Sequence, residues 1–125
     1  MAIYEFKGKV PQIGEGTWVD ESATIIGDVR IGDNCWIGPN AVLRADFGAI
    51  IIGNDTAVED GVVIHTPRTV TIGNRVTIGH LALVHNRLVK DYAVVGMGST
   101  LGDDAEVGAW SIVAADRGAV PRIVE

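Results

Sequence analysis

The stretch IIGDVRIGDNCWIGPNAVL, residues 25–43, carries an aliphatic residue at every sixth position, namely Ile25, Ile31, Ile37 and Leu43. The same period extends in both directions and accounts for nearly the whole chain in seventeen hexads. The other thirteen core positions are Ile13, Val19, Ile52, Val58, Ile64, Ile72, Ile78, Val84, Val89, Val95, Leu101, Val107 and Val113. A small side chain usually lies four residues after each core aliphatic residue, and glycine often comes directly after that aliphatic residue. This pattern predicts short strands that meet at sharp corners.

Three such hexads make one triangular coil, and stacked coils pair their backbones in parallel at about 4.8 Å. Seventeen hexads therefore predict an all-β parallel β-helix of just under six coils. We expect a single domain over residues 1–125. Cys35 falls on one of the small core positions, so we expect a buried thiol and not a reactive one.

The composition narrows the range of partners. The net charge is -6 and the pI is about 4.9, which disfavours binding to nucleic acid or to anionic membrane surfaces. The N-terminus has no basic segment followed by an apolar stretch, and no apolar run approaches the length needed to span a membrane. We therefore expect a soluble cytoplasmic protein that acts on a small molecule.

The repeat is interrupted at three places, where the step between core positions becomes nine, eight and five residues. These places contain RADFGA (44–49), HTPRT (65–69) and HNRL (85–88), which hold the most chemically versatile residues of the chain. Interruptions of a regular repeat occur most often at functional sites.

Two of the three histidines, His65 and His85, directly follow core positions that are three hexads apart. Because three hexads make one coil, these side chains should stack on one edge of the prism, about 5 Å apart along its axis. That spacing suits two ligands of one metal ion. Arg44 belongs to the same column one coil earlier, and Asp46 lies two residues beyond it. Arg44 and Asp46 could form an interface salt bridge, an orienting or catalytic pair, or both.

His80 lies on a different side of the prism, one strand away from this edge. It is either unrelated to the site or serves a neighbouring subunit, and we favour the second interpretation. A three-fold assembly of parallel prisms would bring the His80 side of one subunit against the His65 and His85 edge of the next. Glu59 and Asp60, which precede His65 in VEDGVVIH, are expected to add carboxylates beside the column.

Three motifs resemble those of the γ-class carbonic anhydrase family: LRADFG (43–48), VEDGVVIHT (58–66) and VTIGHLALVH (76–85). The resemblance covers nearly all of the chain. It implies a left-handed β-helix and a homotrimer in which His65 and His85 of one subunit and His80 of its neighbour bind zinc, with iron or cobalt as alternatives. It also implies reversible hydration of carbon dioxide by a metal-bound hydroxide, with Arg44 and Asp46 ordering the site, and places Asp60 near the ligands.

The chain also departs from that family. Glu59 stands where relatives commonly carry glutamine, and it could orient the attacking group or accept its proton. The segment PRTVTIGNRVTIG (67–79) has no carboxylate that could act as a loop-borne proton shuttle. The usual C-terminal helix is expected to be absent or truncated. A metal-dependent acyl-CoA thioesterase and a non-catalytic structural trimer remain as alternative functions.

Overall fold

The computed structural model describes residues 1–116, 118–119 and 123–124, the last two pairs by their backbone alone. Eighteen short strands follow one another within these residues. In chain order they are β1 (Ala2–Tyr4), β2 (Gln12–Ile13), β3 (Trp18–Val19), β4 (Thr24–Ile31), β5 (Trp36–Ile37), β6 (Val42–Ile52), β7 (Ala57–Val58), β8 (Val63–Ile64), β9 (Val70–Ile72), β10 (Thr77–Ile78), β11 (Leu83–Val84), β12 (Leu88–Val89), β13 (Val94–Val95), β14 (Thr100–Leu101), β15 (Glu106–Val107), β16 (Ile112–Val113), β17 (Gly118–Ala119) and β18 (Ile123–Val124).

All pairings between these strands are parallel, and they form three faces of a prism. The first face stacks β1, the start of β4, the start of β6, β8, β11, β14 and β17. The second stacks β2, the end of β4, the end of β6, β9, β12, β15 and β18. The third stacks β3, β5, β7, β10, β13 and β16. The result is a β-solenoid of about six coils, which confirms the predicted hexapeptide β-helix and agrees with its left-handed form.

The predicted aliphatic positions form the core. All of them are buried except Ile13, which packs against the core but remains partly exposed. Ile13 lies in the first coil, where β2 pairs only with β4 on one side, so the end of the prism leaves it incompletely covered. Cys35 is also buried as expected, with its thiol 3.1 Å from the carbonyl oxygen of Gly53 in the next coil.

A ladder of side-chain oxygens stabilises the corner between the second and third faces. Asp33, Asn54, Asn74 and Asp91 occupy equivalent turns in successive coils, and each accepts a backbone N–H from the preceding coil at 2.8–2.9 Å. Each oxygen thus satisfies a donor that the strand ladder leaves unpaired. The regular hydrogen bonding makes this corner a structural seam.

The three interruptions all fall at the corner between the first and second faces, in consecutive coils. We call residues 44–49, 65–69 and 85–87 the interrupted corner. The longest interruption continues β6 around it, and the pairing of β6 with β4 is irregular between Gly27 and Val29. Within the described part of the chain, no helix is long and apolar enough to cross a membrane.

Candidate metal centre

His65 and His85 lie one above the other on the interrupted corner. The preceding residues, Ile64 and Val84, are register partners in β8 and β11, and the backbone N–H of His65 donates to the carbonyl oxygen of Val84. The ring centroids are 5.9 Å apart with planes inclined by 54°. The expected stacking of the two histidines along one edge is therefore present.

Asp46 contacts both His65 and Arg44. One carboxylate oxygen lies 3.0 Å from His65 Nε2, and the other accepts a hydrogen bond from Arg44 Nη1 at 2.8 Å. Partial burial alone would raise the pKa of Asp46, but the hydrogen bond to His65 and the positive charge of Arg44 outweigh it and lower that pKa below its usual value. Asp46 is thus held ionised behind one face of the histidine stack.

A second carboxylate, Asp103, contacts the other histidine, with Oδ1 2.5 Å from His85 Nδ1. Sequence reasoning missed this residue. It lies two residues after Leu101, the core residue that pairs with Val84 in the next coil. The sequence signal is an acidic residue next to the position that aligns with the histidines in the following coil.

An exposed aromatic side chain and a cavity adjoin the stack on the side of Asp46. Phe47 is 75% exposed, and its ring centroid lies 6.2 Å from that of His65. Next to it is an open cavity of about 410 Å³, lined in part by Lys7, Lys9 and Arg30. The N-terminal segment 6–9, which precedes the first hexad, therefore contributes to the surroundings of the site.

His80 occupies the corner between the third and first faces. Its Nδ1 lies 3.7 Å from an oxygen of Asp60, and Glu59 offers a further oxygen within 4.8 Å of both. We call Glu59, Asp60 and His80 the His80 corner. The expectation that Glu59 and Asp60 flank the stacked histidines is wrong within one chain, because both follow β7 on the third face and turn toward His80.

The donor chemistry fits a divalent metal ion. His65 and His85 each have one ring nitrogen against a carboxylate, which is the usual arrangement behind histidines that bind a metal through the opposite nitrogen. His80 and His85 lie at opposite corners of the first face, with strand β11 between them, so the three imidazoles do not converge within one chain.

Comparisons with known proteins agree with this architecture. The bacterial transferase hexapeptide family (six repeats) matches residues 11–45. The chain is 39% identical over 85% of its length to a carbonic anhydrase of Geobacillus kaustophilus, and 38% identical over 92% of its length to the carnitine operon protein CaiE of Escherichia coli. It spans 59% and 60% of those two proteins, respectively.

A solved structure extends the comparison. The crystal structure of a hexapeptide transferase family protein from Anaplasma phagocytophilum superposes with a TM-score of 0.91 at 36% sequence identity, covering 98% of this chain and 74% of that one. At that coverage and identity, the similarity concerns the family and not the fold alone.

Proposed function

Because the chain belongs to the hexapeptide transferase family, we propose that it is a metal-dependent enzyme of the γ-class carbonic anhydrase type, which hydrates carbon dioxide to bicarbonate reversibly at sites between subunits. The observation that carries this proposal is the stacked pair His65 and His85, each with a carboxylate behind it. The name of the Geobacillus kaustophilus relative supports the choice of reaction.

The proposed assembly is a homotrimer of parallel prisms. The face between the interrupted corner and the His80 corner presents Val63 and Leu83, each 37% exposed. Its two edges carry Leu81 and Phe47, which are more than 70% exposed. Exposed apolar side chains along one face and both its edges favour burial against other copies of the chain. Three-fold symmetry then brings the His80 corner of each subunit to the interrupted corner of the next.

In this assembly His65 and His85 of one subunit and His80 of a neighbouring subunit hold the ion. Three neutral imidazoles suit zinc, and they also suit iron or cobalt. When bound, the divalent ion supplies an activated water, because three protein ligands leave one coordination position open.

The residues around the ligands have separate proposed roles. Asp46 accepts the hydrogen bond from His65 and keeps its ring oriented, while Arg44 keeps Asp46 ionised and limits its movement. These contacts are already present in a single chain, so this part of the site needs no partner to form.

Two further carboxylates, Asp60 and Glu59, belong to the neighbouring subunit in the proposed assembly. Asp60 lies beside His80 and orients it, and Glu59 lies next to both. Glu59 is the group that we assign to orienting the attacking water and accepting its proton. The segment between His65 and His80 has no carboxylate for this task.

The test is carbon dioxide hydration by stopped flow. The protein is prepared metal-free and reconstituted anaerobically with zinc, iron or cobalt in separate samples, and metal content is measured on the same samples. We expect turnover only in the reconstituted protein and none in His65→Ala. If the protein binds metal stoichiometrically and none of the three samples hydrates carbon dioxide, the proposed reaction is refuted.

The second candidate function is acyl transfer from acyl-coenzyme A, or hydrolysis of its thioester bond. It is favoured by the hexapeptide transferase relative and by the cavity beside Asp46, where Lys7 and Lys9 could face the phosphates of such a carrier. Arg30 in the same cavity is paired with Asp28. Release of free thiol from acetyl-coenzyme A by protein that does not hydrate carbon dioxide would favour it. Metal binding with neither activity would favour a structural trimer in which the ion only joins subunits.

A further inference from the structure

Asp103 is the carboxylate that lies behind His85, on the Nδ1 side of the ring. Asp103 Oδ1 lies 2.5 Å from His85 Nδ1, although the two residues are 18 apart in sequence. The backbone explains their approach, because the N–H of His85 donates to the carbonyl oxygen of Leu101 at 3.1 Å. The position below His85 in the column is Gly102, which has no side chain, and the next residue reaches back to the imidazole.

This contact selects one form of the imidazole. An ionised carboxylate can only accept a hydrogen bond, so the hydrogen between the two groups belongs to His85 Nδ1. A neutral ring with its hydrogen on Nδ1 has its lone pair on Nε2. We propose that Asp103 is a positioning residue that holds His85 in this tautomer and presents Nε2 to the metal. The inference rests on the metal site of the proposed function.

The adjacent Asp104 provides a matched control in the same turn. Its Oδ1 lies 2.8 Å from Arg68 Nη2, and both side chains of that pair are mostly exposed. Removing Asp104 changes the net charge by the same amount as removing Asp103 and at nearly the same place. It differs in that its partner is a surface arginine and not the histidine.

The first readout is zinc affinity, measured by competition with a chromophoric chelator on the full chain. Loss of a carboxylate behind a ligating histidine commonly weakens metal binding about 10–100-fold. We expect this loss for Asp103→Ala and partial recovery in Asp103→Asn, which keeps an acceptor oxygen. Asp104→Ala should bind zinc as tightly as the unaltered protein. An equal loss in both alanine variants would overturn the proposal, because it would reduce the effect to surface charge.

The second readout needs no metal. Imidazole nitrogen chemical shifts of the metal-free protein at pH 8.5, where histidine side chains are ordinarily neutral, report which nitrogen carries the hydrogen. We expect hydrogen on Nδ1 of His85 in the unaltered protein and a shift toward hydrogen on Nε2 in Asp103→Ala. The Nε2–H form in the unaltered protein, or the same tautomer in both, would overturn the assignment.

The two proposals fail in different ways. Zinc binding without hydration of carbon dioxide would refute the proposed reaction and leave the role of Asp103 intact. An unaltered protein that binds no zinc would refute the metal site together with this role. Normal zinc binding and hydration in Asp103→Ala would refute the role of Asp103 alone.

Discussion

The imidazole rings of His65 and His85 lie one coil apart, with their centroids separated by 5.9 Å, on the corner where the hexapeptide repeat is interrupted in three successive coils. His80 lies across an entire face of the prism, beside Asp60. One chain therefore holds two incomplete halves of the proposed metal site, and this separation leads to a test by subunit mixing.

Alanine substitutions of His80 and His65 should abolish metal binding equally when each variant is studied alone. Mixing them should restore part of it, because an interface between an intact interrupted corner and an intact His80 corner has all three ligands. Random exchange of equal amounts makes about one quarter of the interfaces complete. Metal content after unfolding and joint refolding is the measurement.

The matched control is a mixture of His65→Ala with His85→Ala, which alters the same corner in both variants. No interface in that mixture has three ligands, so metal content should stay at background. If the His80 and His65 mixture binds no more metal than this control, the assignment of His80 to the neighbouring subunit is incorrect.

Gly48→Ala should disturb the site by displacing the backbone that carries Asp46. A Cβ atom at Gly48 would lie 2.2 Å from the carbonyl carbon of Arg68, so the part of β6 that carries Asp46 would have to move away from residues 65–69. We expect weaker zinc binding and a free energy of unfolding lower by about 1–3 kcal/mol. Zinc competition and urea unfolding measure the two effects.

Gly16→Ala, at the corner between the second and third faces, separates crowding at the site from general destabilisation. A Cβ at Gly16 would lie 2.4 Å from the side-chain oxygen of Asn34, and its φ of +71° should make alanine cost about 1–2 kcal/mol. Its zinc affinity should be unchanged. If Gly48→Ala also kept full zinc affinity, the close approach of Gly48 to residues 65–69 would have no part in shaping the site.

Ser22→Ala should change how stability depends on pH. The hydroxyl and N–H of Ser22 both donate to Asp20 and lower the pKa of that carboxyl. A lowered folded-state pKa stabilises the protein above the unfolded value of about 3.9, and the stabilisation is lost as the pH falls through the folded value. The alanine variant should therefore raise the pKa of Asp20 and lose more stability at pH 7 than at pH 2.5.

The pKa of Asp20 can be followed through its carboxyl carbon resonance, with Ser22→Thr as a variant that keeps the hydroxyl. Ser22 also accepts the N–H of Asn40, and loss of that contact lowers stability at every pH. An unshifted pKa of Asp20 in the alanine variant would show that the hydroxyl is not what lowers it.

Cys35 should resist thiol reagents in the folded protein. Burial raises the pKa of its thiol, outweighing the hydrogen bonds from Thr56 and Thr17 that lower it, and only 4% of the residue is exposed. Little thiolate is then available to react. Ellman's reagent should label the native protein slowly and the denatured protein completely. Rapid labelling under native conditions would place the thiol at the surface.

The sequence by itself determined the architecture of the core. Burial at every sixth position is a local property of the chain, and it located the core residues from Val19 to Val113 that are buried in the structure. The order of the hexads also determined which residues share an edge, so the column of Arg44, His65 and His85 followed from counting alone. The separation of His80 from that column followed in the same way.

Only the tertiary structure decided which side chains meet at the corners. Asp103 reaches His85, while Glu59 turns toward His80 instead of His65, and the N-terminal segment 6–9 forms one wall of a cavity beside Asp46. Burial periodicity specifies strands, but the direction of a side chain in a turn depends on backbone angles there and on the neighbouring coil. The core residues follow from a local periodicity and were therefore predictable. The carboxylates behind the histidines depend on contacts between coils, which are non-local, and were predicted only in part.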